Sequence, residues 1–412
     1  MSRIQTIGSS RQKPYRLSIL LSHSFKLVII FIYQSRGTNK KMPTIYEIFG
    51  KPITISSQEE ISARKAALCP FTKSRCDGGG NRHQTRIKLT NTHKLRPYFD
   101  NDITSVIPGV CSIDYGTEAW VVCPRRLLGF KHDSADLPKV NFSLHKHEEA
   151  ILRAAKFPTG VDIGIWPEVY LRHDDDNSIV NYHFDFVAAP IFRDIKARRV
   201  FTDYDIDNTE EKEEIVKCAN TGKWTRGRYS EDMIISIVPD LRSPIIIEIM
   251  TASTSGSDTE AGTDIGSAFT LSILGENHQS PGINKRQVWG RMATQLFAKS
   301  ALAEAWGGET LWVVQDQLLR NIELTTKLSL DEKSVTERGN INFISMTYDH
   351  PEKEMSGIYL KTVSRKEAGM SFLGNNTAVD ILLPKVYPSK KELLKAMLRR
   401  NLAAIINLPN SA

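Results

Sequence analysis

The run Ile-Ile-Ile-Glu-Ile-Met at residues 245–250 constrains this chain more than any other stretch. Its β-branched side chains predict a buried strand, yet a carboxylate, Glu248, sits inside it. Side chains alternate along a strand, so Glu248 and Met250 share one face while Ile247 and Ile249 take the other. An unpaired carboxylate removed from water costs several kcal/mol, comparable with the whole stability of a domain. Either Glu248 meets a partner, such as a metal ion or an arginine, or the strand ends in a cleft.

Two further acids stand in similar surroundings. Asp185 lies in Tyr-His-Phe-Asp-Phe-Val-Ala-Ala, and Asp240 follows a short apolar run in Val-Pro-Asp-Leu-Arg. Each is read either as a salt-bridged or exposed strand end, or as a ligand. Two carboxylates on neighbouring strands can hold a divalent cation through oxygen, as magnesium requires. Such a cation polarises a phosphoryl oxygen and acidifies an attacking water.

The surrounding periodicity predicts a mixed α/β fold. A helical pattern covers residues 143–157, followed by strand-like runs at Ile-Gly-Ile-Trp-Pro-Glu-Val-Tyr-Leu, Ile-Val-Asn-Tyr-His-Phe-Asp-Phe, Asp-Met-Ile-Ile-Ser-Ile-Val and the Glu248 segment. The charged interval 193–232 reads as an inserted, solvated loop or short helix. A long amphipathic helix is predicted from Lys285 to Trp306, with Val288, Met292, Leu296 and Ala303 at three- and four-residue steps. A strand running into a helix follows at residues 309–319, and Ser389 is placed to cap a last helix. Helix, strands, then helix and strand again indicate an α/β or α+β domain.

Net charge is +7, but residues 1–41 carry eight Lys or Arg and no acid, leaving 46 basic against 47 acidic side chains beyond them. The overall charge therefore says little about a nucleic-acid partner; local clustering must carry that argument. Residues 1–41 read as a disordered extension or an upstream mis-start. Their apolar stretch is broken by Ser, His and Lys, short of the ~18 uninterrupted apolar residues of a membrane span, and no export signal is evident. The five cysteines suit a reduced, cytoplasmic chain.

Four of them, Cys69, Cys76, Cys111 and Cys123, fall in a turn-rich segment, residues 42–140, that precedes the predicted α/β domain of residues 141–412. Four thiolates can close a tetrahedral shell around zinc or iron and anchor a region poor in apolar residues. The alternative is four thiols packed as small hydrophobes, and His83 or His93 can stand in for one cysteine. Between them, Lys73–Arg96 includes Arg82 and Arg86 in a dense basic run, which is either a phosphate-binding surface or a solvated face.

An aspartate, then a glutamate on a central strand, then a helix is the layout of the PD-(D/E)xK nucleases. The fragments CPF, GVC, WVVCPRR, FDF, IIEIMT and KRQVWGRMATQ, in that order, resemble the NotI-type restriction endonucleases over most of residues 45–330. The resemblance implies a homodimeric, magnesium-dependent type II enzyme that cleaves duplex DNA at a palindromic sequence. It also implies a structural iron on Cys69, Cys76, Cys111 and Cys123, with Asp185 and Glu248 as the ligands of the catalytic metal.

Two departures qualify it. The family's third catalytic position, glutamine or lysine, falls on Met250, whose thioether cannot orient a water as an amide or ammonium does; either that role has moved to Lys299 or Gln295 on the following helix, or it is dispensable, or activity is reduced. The long insertion between Asp185 and Glu248 keeps Asp240 as an alternative ligand, with Glu149, on the helix before the sheet, a weaker candidate. Arg286 and Arg291, and the Thr-Ala-Ser-Thr-Ser-Gly-Ser-Asp stretch after Met250, are candidate DNA-facing elements or ordinary surface groups. Two other functions compete: a metal-stabilised DNA-binding protein without nuclease activity, and a repair or mobile-element nuclease of the same superfamily.

Overall fold

The computed structural model describes residues 42–53, 58–80, 85–116, 118–130, 144, 146–154, 156–175, 178–255, 257–326, 341–349, 359–368 and 387–409, with residues 18–19 and 29–30 nearer the start. The chain divides into two compact units, Met1–Lys41 and Met42–Ala412. In the first, Ser18–Ile19 pairs antiparallel with Ile29–Ile30; the disorder expected of the rest lies outside the described residues.

The second unit is mixed α/β and is organised on an eight-stranded sheet. In chain order its strands are β1 (Asp162–Asp175), β2 (Ser178–Lys196), β3 (Ile234–Pro239), β4 (Ile245–Met250), β5 (Glu309–Gln315), β6 (Ile341–Asp349), β7 (Tyr359–Ala368) and β8 (Ala404–Asn407). Across the sheet they run β7-β6-β5-β4-β2-β1-β8, and β3 also pairs with β2. β4, β5 and β6 are mutually parallel; the other pairings are antiparallel. Parallel strands need a crossover between them, and the Lys285–Ala305 helix lies in the one from β4 to β5. This arrangement puts β4 at the centre, buried on both faces, which accounts for its run of isoleucines.

The interval 193–232 corrects its sequence reading. β2 continues to Lys196, and the helices Ala197–Asp203 and Thr209–Thr221 follow. Their Val200, Phe201, Ile215 and Val216 are buried in one apolar cluster with Trp306 and Leu394. The many charges of this interval occupy the outer faces of two amphipathic helices; their apolar spacing was obscured by the density of Glu, Lys and Asp around it.

The cysteine-bearing segment is a four-stranded antiparallel sheet with two small ribbons. Its strands Thr44–Ile48, Val110–Tyr115 and Glu118–Val121 are joined by Lys51–Pro52 at one edge. Ile45, Ile113 and Trp120 share an apolar cluster with Phe269, Met292, Trp312 and Phe343, so this segment and the large sheet have a common core. A fully buried ion pair reinforces the junction. Glu47 accepts from Arg126 at 3.1–3.2 Å, from Ser112 Oγ at 2.9 Å and from Tyr348 Oη on β6 at 2.6 Å.

Candidate functional site

The ladder between β2 and β4 contains only three pairs, Ala188–Ile245, Val187–Ile246 and Phe186–Ile247. One step further, Asp185 and Glu248 stand opposite each other where the strands part. Their side chains take over from the backbone ladder. The Ile249 N–H donates to Asp185 Oδ2 at 2.9 Å, and the Asp185 N–H donates to Glu248 Oε1 at 3.4 Å. The two acids expected from sequence are thus brought together.

β1 and β2 are irregular at the same level. Phe184 and Val187 lie in one apolar cluster while Phe186 and Ala188 lie in another, so the two-residue alternation slips by one at Asp185. β1 slips likewise, since Trp166 and Val169 share a face three residues apart. Glu168, facing Asp185 between the pairs Pro167–Phe186 and Val169–Phe184, has φ of +51°, in the left-handed region rarely used by side chains other than glycine and asparagine. Backbone strain of this kind is costly and concentrates at functional sites. Here it turns a third carboxylate toward the site, and no sequence signal marked Glu168. Its carboxyl is held below the usual range chiefly by His183, whose Nε2 is 2.7 Å away.

Lys299 completes the centre. Its Nζ lies 2.5 Å from Glu248 Oε2, and both side chains are almost fully buried. Burial pushes the Glu248 carboxyl up to about 8, against the pull of Lys299 and with the repulsion of Asp185 behind it. Burial also raises Asp185, opposed by the Ile249 N–H and by Lys299. Both carboxyls, Glu248 buried and Asp185 half-buried, are thus raised for want of positive charge, which a small divalent cation would supply. Magnesium commonly takes only one or two carboxylates and keeps its waters, so the donor set fits it.

Beyond Met250 the strand opens into a groove of about 690 Å³ lined by Gly78, Gly79, Met250–Thr254, Arg291 and Gln295, among others. The strand end, the cysteine loop and the long helix therefore border one space. Arg291 is exposed on that helix, and Arg86 is exposed next to the short ribbon strand Ile87–Lys88. Arg286 belongs to the helix, with its side chain outside the described residues, as is all of Arg82. Gln295 lines the groove without reaching the acids' hydrogen-bond network; Lys299 does reach it.

Asp240 is elsewhere. Its N–H donates to Pro190 O at 2.7 Å, and Arg242 grips both its carboxylate oxygens at 2.5–2.9 Å. Pro190 is five residues along β2 from Asp185, about 16 Å at ordinary strand rise. Nothing draws Asp240 to Glu248, so it does not substitute for Asp185. Glu149 is likewise engaged locally, by Arg153 at 2.8 Å.

The four cysteines form one cluster with Phe71. Cys111 and Cys123 are neighbours across a hairpin, with the Cys123 N–H donating to Cys111 O at 3.2 Å, while Cys69 and Cys76 flank the tight ribbon of Leu68–Cys69 and Ser74–Arg75. Backbone amides point at the sulfurs: Gly50 N–H at Cys111 (3.2 Å), Gly78 N–H at Cys76 (3.4 Å), and the amides of Phe71 and Arg125 at Cys69 and Cys123. In three of the four the donor is two residues after the cysteine and pulls toward a charged sulfur, but burial outweighs it at Cys69 and Cys76. The Cys111–Cys123 hydrogen bond raises Cys111 and lowers Cys123. Gly79, at φ +81°, belongs to the same packing: a Cβ there would stand 2.8 Å from Pro124 and 3.3 Å from Cys123 Sγ. Among the described residues no three His, Cys, Asp or Glu side chains are drawn together closely enough to hold a metal as they stand. The chemistry of four clustered sulfurs with amide donors is of the kind that suits a thiolate-bound ion. His93 is set apart, its Nδ1 accepting the Leu95 N–H at 3.1 Å; His83 is outside the described residues.

Among the described residues no helix is long and apolar enough to cross a membrane. No protein-family model matches the chain, and comparison with curated proteins gives no significant match. Functional inference therefore rests on the site's own geometry.

Proposed function

We propose that this chain is a magnesium-dependent endonuclease of duplex DNA, working as a type II restriction enzyme on a PD-(D/E)xK core. The observation that carries the reading is the opposition of Asp185 and Glu248 where β2 and β4 part, with Lys299 on Glu248. In this reading the two carboxylates hold Mg²⁺, which supplies the positive charge that stabilises phosphoryl oxygens and acidifies a water. Lys299 pulls against the burial that raises the Glu248 carboxyl and offers a donor at the position Met250 cannot fill. The hydroxyl-rich strand end and Arg291 border the groove that receives the strand to be cut, and Arg86 adds charge for phosphate contact. Cys69, Cys76, Cys111 and Cys123 hold iron or zinc and fix the loop that forms the groove's other wall. A palindromic site follows from a homodimer with two-fold symmetry.

Incubation of the purified protein with several plasmids and Mg²⁺ tests this directly. A fixed ladder of fragments is expected, lost in Asp185→Ala and Glu248→Ala while affinity for DNA remains. Retarded but intact DNA would show a binding protein instead, and random nicks a repair-type nuclease.

A further inference from the structure

Arg125 stands between the cysteine cluster and the carboxylate centre. It follows Cys123 by two residues in the short Pro124–Leu127 helix, whose Arg126 N–H donates to Cys123 O at 3.1 Å, and this sets where the Arg125 side chain starts. Its guanidinium reaches Asp77, next to Cys76, at 3.6 Å and Glu168, opposite Asp185, at 3.8 Å, with the side chain 12 % exposed. Both distances are too long for hydrogen bonds, and its buried Nε has no hydrogen-bond partner. The adjacent Arg126 shows what a fully engaged arginine looks like in this fold, with three contacts to Glu47 at 3.1–3.2 Å. A buried donor left unmade costs about 1–3 kcal/mol, so the Arg125 guanidinium is held near the acids without being satisfied by them. Pro124, its neighbour, lines the groove beyond Met250.

Resting on the nuclease reading, we propose that Arg125 is a substrate-binding residue: on DNA entry its guanidinium leaves Asp77 and Glu168 and forms a forked pair of hydrogen bonds to phosphate oxygens of the strand to be cut. Planar two-point recognition of phosphate suits arginine over lysine. In the hydrolysis, water oxygen bonds to phosphorus, one P–O ester bond breaks, the water gives a proton to solvent, and the departing oxygen takes one. Arg125 gives and takes no proton; it adds donors where negative charge grows. Because its backbone is tied to Cys123, the cysteine cluster sets the position of this donor.

The test uses the full chain and its Arg125→Gln and Arg125→Lys variants. Affinity for a duplex without divalent metal, measured over a salt series, should show a slope of log K against log salt flattened by about 0.9 in Arg125→Gln, the share of one phosphate contact. Arg125→Lys should keep the slope. With Mg²⁺, single-turnover cutting of plasmid should slow about a hundredfold in Arg125→Gln, and free guanidinium should return part of the rate. An unchanged slope in Arg125→Gln overturns the proposal whatever the rate. If wild type cuts and Arg125→Gln shows the unchanged slope, the nuclease reading stands without it. If wild type does not cut, the nuclease reading fails while the slope still decides whether Arg125 binds phosphate. Should Arg125→Gln not fold, an unaltered cutting rate in Arg125→Lys overturns the forked contact.

Discussion

Lys299 occupies a position where the helix pattern calls for an apolar side chain, three residues after Leu296 and four before Ala303. A lysine in that stripe is buried against Phe184, 5.7 Å from its ring centroid, and only a carboxylate partner makes the burial tolerable. The interruption was visible in the sequence, and so was the interruption of β4 by Glu248; each anomaly is the counterpart of the other. Glu168 was not legible, because its position depends on a left-handed residue and a slip of alternation that composition does not encode. In the proposed reaction, Lys299→Met should slow cutting by about a hundredfold or more, with DNA affinity kept. Met250→Gln should not raise the wild-type rate, because the donor is already present. Single-turnover kinetics beside a binding titration separate these outcomes; full activity in Lys299→Met would remove the lysine from the chemistry.

Among the elements, the strands were the most legible. β-Branched and aromatic runs predicted β1 to β4, and Ser389 in N-cap position marked the start of the Lys390–Leu398 helix, where the structure adds a capping box with Glu392. Between Ala197 and Thr221, where charges outnumber apolar groups, the sequence suggested a solvated loop or short helix; that two helices form and pack on the core is a long-range effect that local pattern cannot report. The cysteine segment was legible as four converging sulfurs but not as part of a shared core with the large sheet. That sharing has a consequence. Cys69→Ser replaces a soft donor with a hard hydroxyl, so under the proposed thiolate-metal reading the variant should carry less iron or zinc and unfold at lower temperature. Metal analysis and thermal unfolding check this together; equal metal content in mutant and parent would leave the cysteines as packed thiols.

Over the whole molecule, three parts that are distant in the chain meet around one groove: the Gly78–Gly79 turn, the end of β4 and the Lys285–Ala305 helix. The acids stand where two strands of the central sheet separate, with Glu248 next in sequence to Ile249 and Met250, which line the groove. The cost of burying Glu248 is met in part by the Lys299 ammonium, and in the proposed reading by one cation. The claim most open to direct measurement is that Asp185 and Glu248 bind this ion jointly. Electron paramagnetic resonance titration with Mn²⁺, which accepts the same oxygen ligands as magnesium, should show one tight ion per chain in wild type. The same titration should show its loss in both Asp185→Asn and Glu248→Gln. Retention of the ion in either variant, or no tight ion in wild type, would contradict a shared metal centre.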